Sequence, residues 1–164
     1  QTTGNFPLIV RNISAGAATV ATTVTISKYA PEVLVADNKQ PTVFHADGTF
    51  VDRDNPAVRD EQLTIYATGL GAVKGVTLQT GQAAPATPAG KTDPVSVYFG
   101  NPTIKQSQMI VNSSTVAPGL VGIYKITVTV PGAHTKGSAL PITLKIGGVS
   151  SSTTGPAVPY IAVN

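Results

Sequence analysis

Apolar and polar residues alternate along much of the chain. Val20, Val24 and Ile26 face one way, while Ala21, Thr23 and Thr25 face the other, the period of two that a half-buried strand requires. The same period recurs in four further segments. Leu63, Ile65 and Ala67 alternate with Thr64 and Tyr66, and Val95, Val97 and Phe99 with Ser96 and Tyr98. Tyr124, Ile126, Val128 and Val130 alternate with Lys125, Thr127 and Thr129, and Ile142, Leu144 and Ile146 with Thr143 and Lys145. One covered face and one wet face is the pattern of antiparallel sheets.

Turn signals punctuate these runs: Asp47-Gly48, Gly69 to Gly71, Gly100-Asn101-Pro102, Ala117-Pro118-Gly119, Pro131-Gly132 and Gly147-Gly148. Asp47-Gly48, between Thr42–Ala46 and Thr49–Val51, predicts a hairpin with a type I′ turn. No stretch carries a helical stripe, and the Ala-rich Gln82–Gly90 contains Pro85 and Pro88, which a regular helix does not accept. The expected fold is all-β: an antiparallel, immunoglobulin-like β-sandwich, open to completion by a donor strand from a neighbouring subunit. The immunoglobulin Cys and Trp markers are missing, so the expectation concerns architecture only. Phe44, Phe50, Phe99 and Tyr124 are the rings expected in the core.

Composition narrows the picture. A chain of 164 residues with 41% hydrophobic and 12% charged residues forms one domain, or two small ones at most, with a real core. We divide it into an N-terminal strand over residues 1–18 and a sandwich over 19–164. No apolar run approaches the roughly 20 residues of a membrane-spanning helix. The net charge of +3 comes from lysines spaced singly, without the basic runs or paired aromatics of nucleic-acid binders. There is no Cys, which removes thiol nucleophiles, disulfides and zinc-thiolate sites. The first residue is Gln, which reads as a processed form or a fragment. With few charges and abundant Thr, Ser, Val, Ala and Gly, the chain reads as an exported protein, extracellular or at the cell surface.

Several motifs fall in a familiar order: Ala30-Pro31, Ala46-Asp47-Gly48, Leu63 to Gly71, Ala117 to Tyr124, Val128 to Pro131 and Ile146 to Ser151. Over roughly Tyr29 to Ser151 the chain resembles the Solibacter uncharacterised C-terminal domain, a β-sandwich of large exported proteins of Acidobacteria. The resemblance implies an exported bacterial β-domain and supplies no catalytic residues. Members of that family carry further strands ahead of the Ala-Pro segment, whereas only Gln1 to Lys28 precedes it here. That difference implies a sandwich with an open groove and unpaired edges, which recruit strands.

The first segment is the leading candidate for such recruitment. Phe6, Leu8 and Val10 share one face of Asn5–Ser14, and Ile9 and Ile13 lie on the other. A strand apolar on both sides suits burial between two surfaces, either in its own sandwich or in the next subunit's. Pro156–Val163 is a second candidate for either part.

Asp47, Asp52 and Asp54, with Asn55 and Asp60, offer oxygen donors to Ca²⁺, the one cofactor considered. Asp and Asn beside Gly48 and Pro56 equally serve to shape turns. His45 and His134 are the imidazoles, but there is no G-x-S-x-G elbow and no phosphate-binding glycine motif. The acidic turns hold no carboxylate pair with a reason for a raised pKa, so no enzyme activity is expected. Asn12-Ile13-Ser14 and Asn112-Ser113-Ser114 match the N-glycosylation pattern.

Two functions are compatible with these residues. One is a structural subunit of a filament or surface assembly, with copies of itself as partners and with Phe6, Leu8, Ile9, Val10 and Ile13 at the contact. The other is a non-catalytic module that binds carbohydrate or cell wall through Tyr66 and Tyr98.

Overall fold

The computed structural model describes residues 3–36, 40–153 and 158–164. All sheet pairing between its named strands is antiparallel. One sheet contains β5 (Glu32–Val33), β6 (Val43–Phe44), β7 (Gln62–Thr68), β9 (Ile110–Val116) and β10 (Tyr124–Thr129). Its order is β5-β7-β10-β9, with β6 beside β5 on the same edge of β7. The other holds β8 (Val95–Phe99), β11 (Gly137–Ile146), β12 (Val149–Ser150) and β13 (Tyr160–Val163), with β8 on one side of β11 and β12 and β13 on the other.

Alternation dictates what lies between the two sheets. Leu63, Ile65, Ala67, Ile126 and Val128 from the first are buried against Val97, Phe99, Ile142, Leu144 and Ile146 from the second. The four periodic segments from Leu63 to Ile146 therefore form the strands expected of them.

The sides of the sandwich are stitched by single residues. Met109 N–H donates to Val97 O at 2.8 Å where β8 meets β9. On the opposite side Ala57 N–H donates to Ala162 O at 3.0 Å and Asn164 N–H to Ala57 O at 2.9 Å. In the last segment Ile161, Ala162 and Val163 are buried, so β13 is built into its own sandwich. Pro156 and Ala157, which open that candidate segment, lie outside the described residues.

Three expectations are corrected. The residues around Val20 to Ile26 are not half-buried: β4 (Thr22–Ile26) pairs with β1 (Gly4–Leu8) away from both sheets, and Val20 is 89% exposed. Gly48 alone takes a left-handed φ in the Asp47-Gly48 hairpin, +86°. His45 N–H reaches Thr49 O and Gly48 N–H reaches His45 O, giving a three-residue loop with Gly at its end and not a two-residue type I′ turn. That turn's requirement of two positive φ values is met instead by Gly147 and Gly148 between β11 and β12. Phe44 and Phe50 are not core rings, because Val43 opposite Ile65 occupies the inward position and places Phe44 outside beside Thr64.

Candidate functional site

The N-terminal residues fold into a two-stranded ribbon. β1 and β4 pair with Phe6 opposite Val24 and Leu8 opposite Thr22. Farther out β2 (Arg11–Asn12) pairs with β3 (Ala17–Ala18). Between these pairs the returning strand carries an extra residue at Val20–Ala21, a bulge of the kind that sharpens local twist. Gly16, at φ +64°, turns the tip, and Asn12 Oδ1 accepts a hydrogen bond from Ala15 N–H. The ribbon thus extends past residue 18, the boundary drawn from sequence, to Ile26. Pro7 is tolerated because both strands of a ribbon are edges.

Within its own chain the ribbon packs chiefly on itself. Leu8, Ile9 and Val10 are about half exposed, at 49%, 48% and 59%, and Ile13 at the tip is 93% exposed. Val20 and Ile26 join them on the returning strand, while Phe6 is half-buried against Val24. The five residues expected at a self-assembly contact therefore lie together on one projecting element. Sequence reasoning missed that Val20 and Ile26 belong with them, although Ser14-Ala15-Gly16 between the two apolar runs is a turn signal.

At its root the ribbon is fastened firmly. Tyr29 is buried, with its hydroxyl donating to Asp93, and Ala30 N–H donates to Gly69 O at 2.9 Å. Asp93 also receives Lys74 Nζ at 2.6 Å and Lys28 Nζ at 3.4 Å. Lys74, then Tyr29 and Lys28, hold the Asp93 carboxyl far below the usual carboxylate range. The ring of Tyr29 occupies a slot that only glycines leave open: a Cβ on Gly147 would lie 2.2 Å from it and one on Gly71 2.9 Å. A cleft of about 640 Å³ adjoins this root, lined in part by Leu78, Val116 and Leu120; Tyr124 at its edge donates its hydroxyl to Gly71 O.

The remaining candidates resolve into structural roles. Asp47 Oδ1 accepts from Thr49 N–H and Oγ1–H, and Asp52 Oδ1 accepts from the N–H groups of Asp54 and Asn55. These carboxylates shape turns. Asp60 pairs with Arg59 at 3.2 Å, and among the described residues no three His, Cys, Asp or Glu side chains gather as a metal site. His134 ties Pro131 O to Asn164 O, each at 2.8 Å. Asn112 Oδ1 accepts from Thr129 Oγ1–H. Tyr66 and Tyr98 both face outward, but on β7 and β8, which belong to different sheets. They lie on opposite sides of the sandwich and do not form one platform. Tyr66 instead meets Phe44 edge-on at 5.8 Å, and Phe44 meets Phe50 at 4.5 Å, beside a shallow cleft that also includes Lys125.

His45 bonds Glu61 through Nδ1 and Asn55 O through Nε2. Both partners are acceptors, so two donating ring nitrogens, the imidazolium, suit the site. Burial alone would lower its pKa, but Glu61 and the Asn55 carbonyl outweigh that and hold it above the ordinary histidine value. A raised pKa contributes stability that is complete below the unfolded value, about 6.5, and is lost as pH rises through the folded one. We expect the stability gap between wild type and His45→Gln, read from urea melts, to shrink by up to about 1 kcal/mol between pH 5.5 and 8.5. A gap that is flat or widens with pH would contradict this charge assignment.

No family model, no curated protein and no solved structure matches this chain.

Proposed function

We propose that this immunoglobulin-like β-sandwich is a structural subunit of an extracellular bacterial filament or surface assembly, polymerising by lending its N-terminal ribbon to a neighbouring copy. The observation that carries the reading is the exposure of Leu8, Ile9, Val10, Ile13, Val20 and Ile26 on one element that its own sandwich leaves uncovered. A lone two-stranded ribbon is at best marginally stable in water, and its outer edges present unpaired main-chain groups. Burying one such side chain fully yields roughly 1.5–3 kcal/mol, so several half-exposed ones supply a substantial association energy. Donation from one surface to a different surface does not close on itself and generates fibres.

The test is assembly of the full chain with Leu8, Ile9 and Val10 all changed to Ser. At about 1 kcal/mol for each half-exposed side chain, self-association should weaken roughly 100-fold in sedimentation velocity, with polymers gone from negative-stain fields. Unchanged assembly of the triple variant, or a wild type that stays monomeric at high concentration, would overturn the reading. A second reading, a non-catalytic carbohydrate- or cell-wall-binding accessory domain, draws on the Phe44, Phe50 and Tyr66 cluster. It expects the triple variant to behave as wild type.

A further inference from the structure

We infer that the ribbon joins a second copy through the outer edge of β4, with Phe6, Leu8, Val24 and Ile26 turned onto that copy and β1 left at the margin. The inference rests on the ribbon-lending reading and adds which strand does the pairing.

Proline chemistry fixes where the ribbon's main-chain groups point. The register sets Pro7 opposite Thr23. Antiparallel partners alternate between pairs that exchange both main-chain hydrogen bonds and pairs that exchange none. Pro7 has no N–H, so Pro7–Thr23 is of the second kind, and Phe6–Val24 and Leu8–Thr22 on either side of it are of the first. The main-chain groups of Asn5 and Pro7 therefore point away from β4, and those of Thr23 and Thr25 away from β1. Among the described residues no further strand pairs with β1 or β4, so both margins are open.

The two margins are not equivalent. On β1 the outward row is broken, because Pro7 offers a carbonyl without a donor and puts its ring where an added strand would lie. On β4 the row is whole: Thr23 and Thr25 each present an N–H and a C=O, about 6.8 Å apart at two residues' rise. Strand margins are ordinarily guarded against pairing by proline, charge or a bulge. β1 carries such a guard, whereas Thr22–Ile26 contains none of the three.

Alternation of side chains orients the ribbon as well. Cross-strand partners share a face, so Phe6, Leu8, Val24 and Ile26 lie on one and Asn5, Pro7, Thr23 and Thr25 on the other. The second face satisfies itself through Thr25 Oγ1–H to Asn5 Oδ1 at 2.7 Å. The first is the apolar side of a half-wet strand pair, with Leu8 and Ile26 still 49% and 43% exposed. Charge sets no barrier to a copy of the same chain, since Arg11 is the single charged residue between Gly4 and Ser27.

Asn5 and Thr25 face each other, which gives a matched pair of full-length variants. Asn5→Pro and Thr25→Pro each lose the Asn5–Thr25 side-chain bond and each place a ring at an outward nitrogen, so they differ in which margin loses its donor. We expect Thr25→Pro to weaken self-association roughly 10- to 100-fold in sedimentation velocity, the effect of leaving a buried main-chain acceptor unpaired. Asn5→Pro should assemble like wild type, and both should match its thermal unfolding. In the assembled wild type, hydrogen exchange at the Thr23 and Thr25 amides should slow by at least about 100-fold, while the Asn5 amide exchanges as in the free chain. Equal loss of assembly in the two variants, normal assembly of Thr25→Pro, or protection at Asn5 without Thr25 would overturn the assignment. If the Leu8, Ile9 and Val10 triple variant fails to assemble while Thr25→Pro assembles normally, the edge is wrong and the ribbon reading survives. If wild type stays monomeric, or the triple variant and Thr25→Pro both assemble like it, both fall.

Discussion

Gly69→Ala should destabilise the protein by more than about 3 kcal/mol or prevent folding, whereas Gly48→Ala should lose only about 1–2 kcal/mol. Both glycines take left-handed backbone angles, φ +73° and +86°, so both substitutions incur the same steric penalty of that region. They differ in what surrounds them. A Cβ at Gly48 meets nothing within 4 Å, while one at Gly69 would lie 1.7 Å from Ala30 O and 2.4 Å from its carbonyl carbon. That obstacle is backbone, held by the Ala30 N–H to Gly69 O bond, and relief requires moving the ribbon's root. Paired denaturant melts check this, and equal losses at the two positions would refute the close-approach argument.

Tyr29→Ala should lower stability by about 3–5 kcal/mol, the range for removing a buried aromatic ring, equivalent to a fall in Tm of roughly 6–20 °C for a chain of this size. The ring is 8% exposed and fills the slot between Gly71 and Gly147, so its removal leaves a cavity bordered by backbone that cannot collapse onto it. Tyr29→Phe separates the two contributions, keeping the ring and losing the hydroxyl bond to Asp93. It should melt between wild type and Tyr29→Ala, closer to wild type. If Tyr29→Phe proves as damaging as Tyr29→Ala, the anchor is the hydroxyl and not the packed ring.

Strands β7, β8, β10 and the second half of β11 were legible because alternation over five or more residues is a local signal that one face is apolar. That signal does not say what covers the apolar face, which is why the residues ending in Ile26 read as half-buried although no second layer reaches them. β5, β6 and β12 have two residues each, too few to carry a period. Phe44 shows how narrow the margin is, since one step along the pleat separates it from buried Val43. Tyr66 and Tyr98 were each placed outward correctly, but their separation onto opposite sheets depends on strand order, a long-range property. The glycines at 69, 71 and 147 stood out as turns. The convergence of Gly71 and Gly147 on Tyr29, and of Gly69 on Ala30, joins distant parts of the chain and has no local trace. The turn-making Asp47 and Asp52 were readable from their neighbours, since an Asp bonding the backbone two residues on is a short-range event.

Tyr29 touches both Gly71, just beyond β7, and Gly147, just beyond β11, so it is wedged against the two sheets at once. Tension drawn through the ribbon would enter both layers together instead of peeling a single strand from a margin. The tyrosine wedge thus makes the ribbon's base a point of load sharing, and pulling experiments on the folded chain should find the ribbon unzipping well before the layers part.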